Sequence, residues 1–194
     1  MIWIMEKKYK VILIDPPWRY DNQTFGGRKG KSPLSRYSVD LRYPSMKLEE
    51  IKNLNIAKLA DKDCALCLWV TAPMLDVGIE CIKRWGWTYK TILFCWIKKT
   101  KYGKDRYNLG YWSLGNIELV LLGTRGSPKR QKKNVKQLVR AEVTKHSHKP
   151  EEVRKRIEEL FGDVPRIEVF ATKKVEGWDA IGYNIDGKDI REIL

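Results

Sequence analysis

The sequence predicts an α/β protein, a largely parallel sheet with helices on both faces, and three observations carry the prediction. Short apolar runs rich in β-branched residues, Val11–Ile14, Cys64–Val70, Thr88–Ile97, Ile117–Leu122 and Arg166–Ala171, read as strands buried on both faces. Segments between them space their apolar residues as one helical face, and Gly and Pro punctuate the junctions. With 194 residues and no dividing linker, the chain reads as a single domain over 1–194.

The first strand, Val11–Ile14, stops at Asp15 because Pro16 and Pro17 have no N–H to give a sheet and fix their own φ. Asp15 is thereby placed at a strand's carboxyl end, the rim where open α/β sheets bind ligands. A solvated acid before an ordinary Pro-Pro turn, with Trp18 in the core, fits the same residue types. Residues Asp21–Arg42 are rich in Gly, Ser, Lys and Arg without periodicity and read as a long loop of the kind that forms lids. A helix is expected at about Leu48–Asn53, with a further turn at Ile56–Leu59.

After the strand Cys64–Val70, Pro73 suits the start of a helix that aligns Leu75, Ile79 and Ile82 and ends at Gly86. The strand Thr88–Ile97 leads into a polar loop, Lys98–Asn116, where Tyr102, Tyr107, Tyr111 and Trp112 alternate with basic residues. That mixture suits phosphate neutralisation plus base stacking, although aromatics that pack a loop onto the body give the same pattern. Glu118 is a charge inside the otherwise apolar run Ile117–Leu122 and so calls for a partner. The basic segment Thr124–Lys145 follows, with a helical turn expected around Val135–Arg140.

Pro150 opens the clearest helix. Glu151 and Glu152 complement its dipole, Val153, Ile157 and Leu160 form one apolar face, and Gly162 closes it. Its N-terminus, with Lys149 beside it, suits an anion. In the last strand Glu168 is the lone acid, placed as the ribose-binding acid is in dinucleotide-binding folds.

Composition narrows the partners. Lysine and arginine total 38 against 24 acids, a formal charge of +14, which points to a polyanion, nucleic acid foremost. A generally basic surface is the plainer account, but the charges cluster. Arg125, Lys129, Arg130, Lys132, Lys133, Lys136 and Arg140 form one group, Arg28, Lys29 and Lys31 a second. No apolar run approaches a membrane span and no signal-peptide architecture is seen. Cys64 and Cys67 have metal-ligand spacing, yet strand alternation points them to opposite faces and no second pair completes a site. Free buried thiols fit a reducing, cytoplasmic setting, and no metal is expected.

Asp15-Pro16-Pro17-Trp18 after an apolar strand resembles the catalytic motif of the S-adenosylmethionine-dependent adenine N6-methyltransferases typified by the catalytic subunit of the messenger-RNA adenosine methyltransferase, the MT-A seventy family. Tyr43-Pro44-Ser45-Met46, Leu68-Trp69-Val70-Thr71, Trp96-Ile97-Lys98, His148-Lys149-Pro150, Ile167-Glu168-Val169-Phe170 and Gly177-Trp178 recur in the family's order, over about residues 11 to 184.

The resemblance implies a Rossmann-like methyltransferase sheet in permuted order, with the catalytic motif first and the cofactor segments late. Adenine's amino group is a poor nucleophile, so acceptors at Asp15 and the Pro16 carbonyl, stiffened by Pro17, would orient it. Trp18 and Tyr43 would stack on the base, with Glu118 in support. The resemblance further implies S-adenosylmethionine contacts at Asp15, Lys149, Glu168, Val169, Phe170, Gly182 and Asn184. Lys149 is matched with the methionine carboxylate, and Lys173 stands in for an arginine the family carries after Ala171. The missing Gly-x-Gly-x-x-Gly agrees with this, because a methyl donor has no pyrophosphate to cradle. Nucleic acid is the expected substrate, DNA ahead of RNA, with Trp112, Arg125, Lys129, Arg130, Lys132 and Lys133 as contacts. A monomer or homodimer is expected, a hetero-partner being the other possibility, and an inactive nucleic-acid-binding subunit of the same fold is the rival reading.

Overall fold

The computed structural model describes residues 7–18, 46–110, 112–144 and 148–194. The expected lid Asp21–Arg42, the cluster Arg28, Lys29 and Lys31, and Tyr43 lie outside the described residues.

Among the described residues seven strands form one sheet. In chain order these are β1 (Tyr9–Ile14), β2 (Ala60–Thr71), β3 (Thr88–Lys99), β6 (Ile117–Arg125), β7 (Leu138–Glu142), β8 (Arg166–Val169) and β9 (Asp179–Ile181), with β4 (Asn108–Leu109) and β5 (Leu114–Gly115) making a separate hairpin. The sheet order is β7-β3-β6-β2-β1-β8-β9. Strand β6 runs antiparallel to both neighbours and every other pairing is parallel, so six strands end at one rim and β6 begins there.

Alternation divides the core in two. Ile12, Ile14, Leu66, Leu68, Leu121, Ile167 and Val169 project to one face, beneath α1 (Leu48–Lys52) and α2 (Leu75–Arg84). Val11, Leu13, Ala65, Trp69, Trp96 and Val120 project to the other, beneath α3 (Glu151–Phe161). Cys64 and Cys67 fall on opposite faces as alternation requires, and burial pushes the Cys64 thiol up to about 12. Helix α2 sits close to the sheet because Gly78 and Gly123 carry no Cβ; one at Gly78 would lie 2.5 Å from Val70 Cγ1, and one at Gly123 2.8 Å from Ile82 Cγ2. Two short helices, α4 (Tyr183–Asp186) and α5 (Ile190–Ile193), end the chain.

Indole N–H groups tie the elements together. Trp18 donates to the Trp69 carbonyl at 2.9 Å, Trp85 to Ile51 at 3.1 Å, Trp87 to Cys64 at 3.1 Å and Trp96 to Ala141 at 2.9 Å. Each buries a large ring and satisfies its one donor, a net gain of about 1 kcal/mol per bond beyond the ring's own burial.

Three elements differ from the sequence expectation. Around Val135–Arg140 there is no helical turn. Instead Leu138–Glu142 pairs in parallel with β3, burying Val139 between exposed Leu138 and Arg140, a period of two that four basic neighbours obscured. The loop Lys98–Asn116 contains the β4–β5 hairpin, and β9 forms where only a cofactor segment was expected.

Arg154 of α3 and Glu168 of β8 are both buried and meet through two bonds, Nε to Oε2 at 2.8 Å and Nη2 to Oε1 at 3.1 Å. Removing one partner strands a charge in the core. Arg154→Met should lower unfolding free energy by about 3–5 kcal/mol in urea denaturation, and Arg154→Met with Glu168→Leu should recover most of it.

Candidate active site

From β1 the chain proceeds to β2 on one side, and from β8 to β9 on the other, so the crevice between the carboxyl ends of β1 and β8 is a topological switch point. Asp15 follows β1 and Phe170 follows β8. Phe170 has φ 63, a left-handed conformation that non-glycine residues adopt rarely and that concentrates at ligand sites. Gly182, past the end of β9, permits a close approach, since a Cβ there would meet the Ala171 carbonyl oxygen at 2.7 Å.

Four ionic side chains stand at this rim on the α3 face. The alternation that buries Leu13, Trp96 and Val120 on that face also brings Asp15, Lys98 and Glu118 to it, each two residues from its buried neighbour. Lys149, just before α3, comes down between the acids. Its Nζ lies 2.9 Å from Asp15 Oδ2 and 3.2 Å from Glu118 Oε2, while Lys98 Nζ lies 2.6 Å from Glu118 Oε1. The result is an alternating chain, Lys98, Glu118, Lys149, Asp15, with no net charge. Two tryptophans floor it: Lys149 Nζ is 5.4 Å from the Trp69 ring centroid, Lys98 Nζ 5.4 Å from that of Trp96, and the rings meet edge to face at 6.2 Å.

The environment separates the two carboxylates. Burial raises Asp15 above the ordinary carboxylate range; Lys149 opposes that rise, and Glu118 and Glu168 add to it. Asp15 keeps a quarter of its side-chain accessibility, 25%, so the effect of burial there is tempered by solvent. Glu118 is held below its usual value, because Lys149 and Lys98 outweigh its burial. Lys149 is held above the ordinary lysine range, as Asp15 and Glu118 outweigh the desolvation that acts against its charge. Lys149 is therefore held as an ammonium, and Asp15 is the more basic of the two carboxylates.

The structure brings Asp15, Glu118, Lys149 and Phe170 to one rim, with Val169 buried beneath and Gly182 and Asn184 beyond β9. Pro16 and Pro17 follow Asp15 in the chain. Several expected roles change. Trp18 is only 8% exposed and its indole is committed to Trp69, so it anchors the Asp15–Pro17 stretch on the core rather than offering a stacking face. The Pro16 carbonyl already accepts the Trp18 N–H at 2.8 Å, leaving one lone pair. Glu168 has both oxygens on Arg154 instead of facing a ribose. Lys173 pairs with Glu151 at 2.7 Å on the surface.

Of the basic cluster, Arg125 to Lys133 are not brought to this rim, whereas Arg140, paired with Ile97 in β7, is carried toward it. Arg125 ends β6 opposite Cys64, seven residues from Glu118, or about 23 Å at 3.3 Å per residue. Arg125 stacks over Trp87, Lys132 pairs with Glu159 at 3.1 Å, and Lys129 lines a surface cavity with Lys10 and Asp63; Arg130 and Lys133 are exposed on the same segment. These residues face away from Asp15 because β6 runs antiparallel. Conversely, Lys98 and Arg154 carry ionic roles that the sequence reading did not assign. A lysine two positions past a tryptophan in a strand was the available signal for Lys98; Trp96 is the residue paired with Glu118, and Lys98 reaches the acid diagonally.

Comparison with known proteins agrees with this geometry. The MT-A70 family profile matches residues 9–184. The type II methyltransferase M.MunI of Mycoplasma sp is 33% identical over 194 residues, covering 95% of this chain and 81% of that protein. The N(6)-adenosine-methyltransferase catalytic subunit METTL3 of Homo sapiens is 28% identical over 185 residues, 93% of this chain but 29% of that protein, and the MT-A70-like protein of Drosophila melanogaster is 28% identical over 27% of its length. With the profile spanning nearly the whole chain and its motif acid at the switch-point crevice, this protein belongs to the MT-A70 family.

Proposed function

We propose that the protein transfers the methyl group of S-adenosylmethionine to the exocyclic N6 amino group of adenine in DNA. The observation that carries the reading is Asp15, a rim carboxylate raised above its usual range and held by Lys149 at 2.9 Å, within an Asp-Pro-Pro-Trp stretch of an MT-A70 chain. DNA stands ahead of RNA because the type II methyltransferase relative is close to this chain in extent, whereas the adenosine-methyltransferase relatives are matched over less than a third of theirs. We read the sheet as a Rossmann-like methyltransferase sheet in permuted order. The catalytic strand β1 comes first and the cofactor strands β8 and β9 last, yet they are neighbours in the sheet.

The residues at the crevice fit the cofactor. Lys149 has three N–H donors and uses two on Asp15 and Glu118, which leaves one for a carboxylate such as that of the methionine half. Exposed Tyr183 and Asn184, past the tight Gly182 turn, would be the residues to contact the adenosine half. When bound, S-adenosylmethionine supplies the methyl group on a sulfonium. Asp15 does the protein's part. Lys149 fixes Oδ2, and Oδ1 accepts a hydrogen from the substrate amine, with the remaining lone pair of the Pro16 carbonyl accepting the other. The amine's own lone pair is thereby drawn out of conjugation and aimed at the electrophile. Glu118 and Lys98 keep Lys149 in place.

Incubating the protein with S-adenosylmethionine and either DNA or RNA, then measuring methylated nucleosides by mass spectrometry, tests the reading. N6-methyladenine in DNA is expected; methylated cytosine, or no product in either polymer, would sink it. Asp15→Asn keeps the shape and loses the charge, and kcat should fall by about 10²–10³-fold or more.

The ion chain also predicts how the acid limb of the kcat–pH profile moves. Activity requires ionised Asp15 and rises with pH through its raised value. Lys149→Met removes the cation that lowers Asp15 and should shift the limb to higher pH. Glu118→Gln removes a negative neighbour and should shift it to lower pH, whereas Lys98→Met, by leaving Glu118 to draw Lys149 away, should shift it upward. Coincident limbs in all four proteins would detach Asp15 from the titration.

A further inference from the structure

The excursion between β3 and β6 leaves the sheet at the same rim as Asp15. It leaves the sheet after Lys99 and returns at Ile117, one residue before Glu118, and the Lys98 N–H donates to the Asn116 carbonyl at 2.8 Å where its two arms close. Its base is well tied. Lys99 pairs with Asp105 at 2.6 Å, and the Arg106 N–H donates to the Lys98 carbonyl at 2.9 Å. Beyond the base β4 and β5 pair antiparallel at Asn108 with Gly115 and Leu109 with Leu114, which puts Trp112 on the connection between them.

What this hairpin carries is unusual for a free surface. Trp112 is fully exposed at 101%, Tyr102 is 78% exposed, and Tyr107, Leu109 and Leu114 are exposed as well. Elsewhere among the described residues the tryptophans are buried, and four of them bond a backbone carbonyl. Large rings and leucines held out in water mark a surface that another molecule covers. Lys101, Lys104 and Arg106 are exposed on the same excursion, and its acid Asp105 is already neutralised by Lys99. The covering molecule is therefore anionic and offers flat apolar faces, as stacked bases between phosphates do. Reach is sufficient too: Trp112 is six residues from Glu118, at most about 20 Å along the chain.

We propose that the β4–β5 hairpin is a wedge for duplex DNA, in which Trp112 stacks on the base left unpaired, or on the adjoining base pair, while the target adenine occupies the crevice. Lys101, Lys104 and Arg106 hold the flanking phosphates. This rests on the adenine-methylation reading and adds to it that the substrate is a paired duplex opened on this surface. Reaching an amino group inside a duplex requires unstacking and unpairing the base, and a ring that fills the gap offsets that penalty. A base that is already unpaired carries less of it.

The test compares the wild type with Trp112→Ala and Trp112→Phe on three oligonucleotides carrying the mapped methylation sequence: matched duplex, the same duplex with an abasic site opposite the target adenine, and the single strand. Trp112→Ala should lose at least tenfold more kcat/KM on the matched duplex than on the abasic duplex, and Trp112→Phe should restore most of the difference. With 2-aminopurine opposite the target position, wild-type binding should change its fluorescence and Trp112→Ala should not. Equal losses on all three substrates, or none, overturn the wedge. So does a wild type that methylates only the single strand, although adenine methylation itself then stands. A wild-type dimer that Trp112→Ala converts to monomer in sedimentation assigns the hairpin to a second copy of the chain and also overturns it. Absence of N6-methyladenine on every polymer instead strikes the underlying reading.

Discussion

Lys149 is one ammonium shared by two carboxylates, and the carboxyl rim of the sheet depends on that sharing. Its side chain and those of Asp15, Glu118 and Lys98 keep between 13% and 25% of their accessibility, too little for water alone to stabilise any one charge. Each ion is tolerable because the next has the opposite sign. The arrangement also fixes geometry: β1, β6 and β3 supply one member each, the start of α3 supplies the fourth, and a shift of any of these elements would separate charges. The first turn of α3 carries Glu151 and Glu152, which complement the positive amino end of its dipole.

The sheet gives the molecule two unlike rims. At the carboxyl rim the ionic chain is neutral and the surrounding excursion is basic and aromatic; at the opposite rim lies a run of lysines and arginines that engages α3 through Lys132 and Glu159. Formal charge alone treats these surfaces as equivalent. The direction of β6 distinguishes them, since a strand entered at the active rim must leave at the far one.

Much of this was legible in the residues, and the limits have physical causes. Apolar β-branched runs located five of the sheet strands, β1, β2, β3, β6 and β8, and the Pro-Pro stop after Ile14 put Asp15 at a strand end. Alternation correctly sent Cys64 and Cys67 to opposite faces. Glu118 was recognisable as a buried charge in need of a partner, but which cation supplied it depends on β3 and β6 being neighbours and on where α3 begins, and local sequence holds neither. Trp18 and Glu168 show the same limit: residue type gave a stacking ring and a ribose acceptor, while long-range packing gave the ring to Trp69 and the acid to Arg154. The edge strand β7 was hidden because only Val139 among its exposed neighbours is buried, so its period of two is one residue deep. The basic cluster was visible as charge, and its distance from Asp15 was not, because charge counts have no direction.

The closure at the root of the β4–β5 excursion has a consequence for how such a protein can diversify. Lys98 and Asn116 are joined by a backbone bond, so the two strand ends stay together whatever lies between them. The entropy of closing a loop grows only with the logarithm of its length, and a longer or different excursion would load the sheet little more than this one does. Strands β3 and β6 would keep their register, and with it Lys98 and Glu118, which hold Lys149 against Asp15. The root of the excursion is thus a fixed frame that could carry a different segment while Asp15, Lys149 and Glu118 keep their places.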